Sequence, residues 1–443
     1  MSRLARGRLS VPTGTVAIGV GLVVLGLTSY AFLVLAGRAL GPSRYASLSV
    51  TWALVFLLGP GFFLPLEQEV GRAIAARRAH GQGAGPVIRQ AGLVGGGLAV
   101  LLVAIVVAAS APLRDRLFDG QMLLVAGLAA GLVGYFAEHL LRGVLAGNGR
   151  FGPYGTVLAL DGSLRLLGCV VLLAAGVDTA GPYGLLVGLA PLGAVAVGLR
   201  SCRDLVRRGP AGRGGQEDSP PAAWRELSSA LGWLLAASLL AQLLVSAGPL
   251  AVKLLATDQE QVVAGRFLAG LVVVRVPVYL FQAIAAAVLP DLSRLAASGR
   301  WADFRAGLGR LTWAVIALGV AGVVGAVAAG PLAVRVLFGA GFRLSRPDLG
   351  YLAGASAAYM LALALGQALI ALSAHARTAV SWAVGVVAFA VTTAMLSGLT
   401  FRVAVGFLAG AGATAATMAA LLLPLLRATR GREGRPEAAP HPA

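Results

Sequence analysis

The chain has 443 residues, of which 58% are hydrophobic and 12% charged, with 61 glycines. Soluble domains carry about 25% charged residues, so this composition excludes an ordinary water-soluble enzyme, a disordered chain and a fibre, and it reads as a polytopic membrane protein. The net charge of +18, from 36 Lys+Arg against 18 Asp+Glu, would suggest nucleic acid in a soluble domain, but in so apolar a chain it is better read as loop arginines that set membrane orientation.

The N-terminus, MSRLARGR, places three arginines ahead of 26 uncharged residues from Pro12 to Gly37. That run exceeds the apolar core of a signal peptide, about 7–15 residues, so it is expected to be an uncleaved first span. A helix needs about 20 apolar residues to cross a bilayer. Stretches of that kind fall at 12–36, 46–66, 90–111, 121–141, 154–176, 181–199, 228–252, 263–289, 311–331, 349–373, 379–400 and 403–426. The expected architecture is therefore an all-α polytopic membrane protein of about twelve transmembrane helices. Residues 1–199 and 227–426 form two six-helix lobes in this reading. The polar, Gly/Pro/Arg-rich segment 200–226 is a cytoplasmic linker, and 427–443 is a disordered cytoplasmic tail.

Orientation follows from the loops. With the N-terminus inside, 24 arginines fall in cytoplasmic segments and 8 on the opposite side. The asymmetry places both termini in the cytoplasm of a cell-membrane protein. The two halves also resemble weak parallel repeats. Leu64-Pro65-Leu66-Glu67 follows span 2, and Leu289-Pro290-Asp291-Leu292 follows span 8. Parallel repeats related by an axis along the membrane normal are a transporter architecture, with the substrate site between the halves.

Ionisable residues inside spans are expensive and so point to function by default. Asp161 and Arg165 lie four apart in span 5, on one helix face; both a structural pair and a functional pair fit that spacing. Arg275 sits near the middle of span 8 with Tyr279 and Gln282 at i+4 and i+7, and no acid lies within two helical turns of it. A mid-span arginine without a local partner is expected to face a wet cavity or an anionic ligand. Gln242, Ser246 and Lys253 form a stripe on span 7, and Ser356, Tyr359 and Gln367 form another on span 10. Lys253 and Arg266, near span ends, are expected to snorkel to the interface. Gln242, Gln282 and Gln367 suit either a cavity lining or interhelical hydrogen bonds.

Glu67 and Glu69, in LPLEQEVGR, are expected where span 2 meets the cytoplasm. They are candidates for a gate or ion site, with Glu69 also able to pair with Arg72. Glu138 is the expected i+4 partner of Arg142, with His139 beside it; a proton relay there is the weaker reading. Cys169 and Cys202 provide no disulfide framework, and His80, His139, His375 and His441 are scattered, so no metal site and no cofactor are expected. The sequence has no GxxxxGK[ST] phosphate loop, no HExxH and no GxSxG. Its longest expected external loop, around Arg335–Asp348, is short for a glycan-processing enzyme. These features argue for a transporter rather than an enzyme.

The stretch LAGRALGPSRYASLSV followed by FLPLEQEVGR resembles the first two spans of bacterial polysaccharide flippases. These are the Wzx-like oligosaccharide exporters of the MOP superfamily, relatives of the MATE drug exporters. VPVYLFQAIAAAVLPDLSRLAASGR resembles span 8 and the following loop of the same family. The resemblance implies a MATE-like two-lobe fold and a flippase that moves an undecaprenyl-pyrophosphate-linked oligosaccharide across the membrane by alternating access. It also implies a cationic central cavity for the head group, and glycosyltransferases or a polymerase of the same pathway as partners. The family has no catalytic motif to map, so Arg165 and Arg275 are candidates by depth and charge. A MATE-like cation-coupled multidrug exporter, with Asp161 as its ion site, is the alternative. A membrane-embedded glycan-processing enzyme and a non-transporting scaffold of the export machinery are further readings.

Overall fold

The computed structural model describes residues 13–207 and 231–432. Within them the regular structure is helical and contains no strand. The α-helices are α1 (Thr13–Ala79), α2 (Gly85–Ala108), α3 (Ser110–Arg116), α4 (Met122–Gly147), α5 (Phe151–Ala174), α6 (Ala180–Arg207), α7 (Leu231–Leu255), α8 (Gln261–Val274), α9 (Val276–Ala297), α10 (Trp301–Phe338), α11 (Arg346–Ala371), α12 (His375–Met395) and α13 (Leu399–Arg432). Eleven segments of the described residues are long and apolar enough to cross a membrane. The first of these is α1, which bends at Gly41 and supplies two passes, 13–40 and 42–79.

The expected loop between spans 1 and 2 is thus a kink inside one helix of 67 residues. Its cause is local. Pro42 lacks an N–H and its ring crowds the preceding turn, while the residue before a proline is driven to extended ψ. Gly41 takes φ 66 and ψ 172, a conformation that side-chain-bearing residues rarely adopt. Five further features differ from the sequence reading. The second pass runs on to Ala79, so Glu67 and Glu69 lie within a helix and not at its end. Span 8 is two helices, α8 and α9, broken at Arg275. A short helix, α3, caps the end of α2. Helix α6 continues to Arg207 and α13 to Arg432, beyond the expected starts of linker and tail. Residues 208–226 of the linker and 433–443 of the tail lie outside the described residues.

Helices α4, α5 and α6 pack on one another and on α1, while α10 and α13 flank α11, and α12 packs on α7 and α13. Helix α1 also packs against α7 and α8, so it joins the first half of the chain to the second. The exposed faces are apolar: Leu101 (56%), Val171 (60%), Trp313 (73%) and Val324 (61%) point outward. A lipid-facing surface requires this, because acyl chains impose no penalty on exposed aliphatic groups.

Close helix contact depends on small residues. Between α4 and α6, a Cβ on Gly127 would overlap the Gly184 carbonyl, and one on Gly188 would overlap the Gly127 carbonyl. The two backbones touch where lipid gives helices no hydrophobic reason to associate, so van der Waals contact carries the packing. Gly188→Val should therefore separate α4 from α6 and destabilise the protein by about 1–3 kcal/mol. Its melting temperature in detergent is expected to fall by several degrees. Gly97→Val, at a site with open space around it, should leave the melting temperature unchanged.

Candidate functional site

A polar seam runs through the first half. Tyr135, Glu138, His139 and Arg142 on α4 fall at i, i+3, i+4 and i+7, and share a face. Opposite them, α5 contributes Tyr154, Asp161 and Arg165, and α1 contributes Glu67. Glu67 is buried and saturated. Its Oε2 accepts from His139 Nδ1 at 2.7 Å and from Arg142 Nη2 at 2.8 Å, and its Oε1 accepts from the Tyr154 hydroxyl at 2.6 Å. Arg142 also donates through Nη1 to Glu138 Oε1 at 3.0 Å. Glu138 Oε2 is buried with no hydrogen-bond partner.

Further along the seam, Arg165 is wholly buried. Its Nη2 donates to both Asp161 oxygens, at 2.6 and 2.7 Å, and to the Tyr135 hydroxyl at 3.3 Å. The Trp52 ring covers its guanidinium, with the centroid at 5.1 Å. This geometry corrects the expectation that Arg165 faces a substrate cavity beside Arg275. An arginine at 0% exposure, charge-balanced by the i+4 carboxylate, is sealed from any cavity in this state, although its buried Nε has no hydrogen-bond partner. Asp161 is equally committed. Glu69 pairs with Arg72 at 2.7 Å as its i+3 spacing predicts, and Glu67 serves the seam, not an open mouth.

Arg275 is placed differently. Pro277 cannot donate to the helix ladder, and the chain breaks between α8 and α9 with Arg275 at the junction, φ −85 and ψ −5. The break frees backbone acceptors. The Val272 carbonyl takes the Arg275 N–H at 3.3 Å and also the hydroxyl of Tyr30 from α1. The half-buried guanidinium donates to the Val245 carbonyl of α7 and lies 6.0 Å from the Phe407 ring centroid. Among the described side chains no carboxylate pairs with it. Tyr279, one turn on, is 36% exposed, packs edge-on against Tyr30 at 5.8 Å, and lies within electrostatic reach of both Arg275 and Arg165.

Gln242 is half-buried on α7, where its Cβ would approach one built on Gly61 to 3.8 Å; Gln282 lies outside the residues whose side chains are described. Lys253 does not snorkel. It is 3% exposed, and its Nζ reaches Asp119 at 2.7 Å and Gln261 Oε1 at 2.8 Å. Arg266 turns to the Gly341 carbonyl at 2.9 Å. Sequence reading missed Tyr30 and Asp119. Both act on partners more than 130 positions away, Val272 and Lys253, and no local spacing announces them. No group of three or more His, Cys, Asp or Glu residues suited to a metal occurs among the described residues.

No family model matches the chain. An uncharacterized protein of Mycobacterium tuberculosis is 29% identical over 387 residues, covering 84% of each chain. A second uncharacterized protein of that organism is 25% identical over 405 residues, 86% of each. Among solved structures, an inward-facing multidrug resistance MATE family transporter of the MOP superfamily superposes with a TM-score of 0.72 at 14% identity, covering 93% of this chain and 99% of that one. An outward-facing multidrug resistance MATE family transporter of the MOP superfamily gives 0.66 at 14% identity, over 94% and 95%. A MOP superfamily transporter from Pyrococcus furiosus, described as having a binding pocket of reverse polarity, gives 0.70 at 15% identity, over 94% and 96%. The fold is that of MATE and MOP superfamily transporters, and the chain is a multi-pass membrane protein.

The two kinds of arginine should separate in stability measurements. Removing one partner of a buried ion pair costs about 3–5 kcal/mol, because the other charge is left unpaired. Arg142→Met would strand Glu67 and Glu138, and Arg165→Met would strand Asp161, so both are expected to lower membrane abundance several-fold. Arg275→Met strands no described carboxylate and should keep parental abundance. Quantitative blotting of membrane fractions and melting in detergent check this contrast.

Proposed function

We propose that the protein is an alternating-access transporter of the cytoplasmic membrane, with both termini inside, that binds the anionic head group of a lipid-linked glycan at Arg275. The observation that carries this reading is a half-buried guanidinium at a helix break in the bundle, held by a backbone carbonyl and with no described carboxylate partner. A cation in the bilayer interior costs at least about 2.5–3.5 kcal/mol on insertion scales, and a visiting phosphate offsets that cost. Arginine suits the task, since its planar fork binds phosphate bidentately and stays charged. Tyr30, Tyr279 and Tyr359 around it add hydroxyls and ring faces for sugar. The resemblance of GPSRYA and LPLE to polysaccharide flippase segments supports an undecaprenyl-pyrophosphate carrier, with Gln242 and Gln282 as further cavity candidates. Glycosyltransferases or a polymerase of the same pathway would be the partners, and no enzymatic step is required of this chain.

A second reading, cation-coupled export of small molecules, is favoured by one observation. The seam holds three acids, Glu67, Glu138 and Asp161, against two guanidinium groups, Arg142 and Arg165. One bound proton would balance it, and the unpartnered Oε2 of Glu138 is the place for it. Transport that rests on this proton should lose its dependence on a pH gradient in Glu138→Gln. Transport that runs on the head group alone should not change.

The test of the main reading is flipping of a polyprenyl-pyrophosphate glycan in proteoliposomes. Arg275→Ala should insert normally and lose at least about tenfold in rate, the equivalent of 1.4 kcal/mol of lost anchoring. Arg275→Lys should recover part of it, since a point charge replaces the fork. Parental flipping by Arg275→Ala would rule the reading out.

A further inference from the structure

At the end of the bundle opposite the termini, the two halves of the chain are held by side chains that the transport site does not use. The turn between α3 and α4 belongs to the first half and is pinned by Phe118, which is 0% exposed. Asp119 in that turn adopts φ 48, a left-handed conformation that is uncommon for residues other than glycine. Strain of this kind persists only where the surroundings hold it, and here they do. Asp119 accepts from the Ser47 hydroxyl of α1 and from Lys253 Nζ at 2.7 and 2.9 Å.

Lys253 is on α7, in the second half. Its side chain is 1% exposed, whereas that of Asp119 is 45% exposed. All three ammonium protons are taken, two by Asp119 and one by Gln261 of α8 at 2.8 Å. Lys253 also sits in the last turn of α7, where the helix dipole favours a cation. The rest of this end is closed by apolar and backbone contacts across the same seam. Tyr45 packs against Phe338 and Phe342 at 5.7 and 5.9 Å. Arg38 donates to the carbonyls of Val336 and Leu337. A Cβ on Gly265 would overlap the Pro42 carbonyl.

We infer that Asp119 and Lys253 form a latch that holds this end of the molecule shut and sets the balance between its closed and open states. The latch differs from the other seam contacts in its range. Aromatic packing is lost within the first ångström of separation, whereas the attraction between the two charges falls off slowly with distance, and a buried ammonium without its carboxylate is an uncompensated charge. The pair therefore draws the halves back together until water reaches Lys253. A contact made in one state only biases a two-state equilibrium by its full free energy. The inference concerns the motion alone. It rests on the transporter reading for its purpose but not for its test, which uses no substrate.

The test is a distance across the latch. Spin labels are placed at Arg116→Cys and Gln259→Cys, both exposed positions flanking it, in full-length protein carrying Cys169→Ser and Cys202→Ser, in lipid nanodiscs. The parent should show one short distance. Asp119→Asn keeps a residue tolerant of left-handed φ and removes the charge; it should convert a large fraction of molecules to a longer distance, at least a tenfold rise in the open-to-closed ratio. Lys253→Met, which leaves the Asp119 turn untouched, should lengthen the distance in the same way, which a merely misfolded turn would not explain. An unchanged distribution in Asp119→Asn or in Lys253→Met would overturn the latch. Because flipping is not measured, failure of the Arg275 reading would leave this result standing, and the reverse holds as well.

Discussion

A charge inside a lipid-covered bundle must find its counter-charge within the protein, and most of this structure is arranged around that requirement. Arg142 is neutralised by Glu67 and Glu138, Arg165 by Asp161, and Lys253 by Asp119. Each pair also ties elements together: α1 to α4, α4 to α5 through Tyr135, and the α3–α4 turn to α7. Burying such pairs is no bargain in stability by itself, since desolvation consumes much of the attraction. Breaking one is expensive, so they fix which helices are neighbours. Arg275 stands outside the scheme. It is the described cation deep in the bundle whose partners are a carbonyl and an aromatic ring, and it is where a mobile anion has something to gain.

Helix breaks do the complementary work on the backbone. Gly41-Pro42 bends α1 so that one helix packs against both halves, and the same turn receives Gly265 of α8 at van der Waals distance. Pro277 breaks the α8–α9 pass at Arg275, and the freed Val272 carbonyl captures Tyr30 from α1. In lipid an unpaired backbone group costs several kcal/mol, so irregular backbone survives only where another element satisfies it. Both breaks therefore lie on the seam between the halves, and the candidate ligand arginine is part of one of them.

Much of this was legible in the sequence. Apolar run length gave the number and order of passes, because bilayer thickness imposes it. The i+3 and i+4 spacings of Glu69 with Arg72, Glu138 with Arg142 and Asp161 with Arg165 announced real pairs, since those contacts are local to one helix. What escaped was everything that depends on which helices meet. Arg165 and Arg275 looked alike by depth, yet one is sealed under Trp52 and Tyr135 and the other is half-open. Lys253 looked like a snorkelling end residue because its acceptor, Asp119, lies 134 positions away. The kink at Gly41 was mistaken for a loop because Arg38 and Arg44 flank it. Polar flanks mark a membrane surface equally well whether the chain turns there or only bends.

The claim that organises this account is that Arg275, among the buried cations, is the one reserved for a ligand. The most direct measurement is binding itself. The protein in nanodiscs is melted with and without undecaprenyl pyrophosphate, for the parent and for Arg275→Ala. Ligand that binds the folded state raises the melting temperature, by an amount that grows with the logarithm of its concentration over Kd. The account predicts a clear rise for the parent and none for Arg275→Ala at the same lipid concentration. An equal rise in both would contradict it.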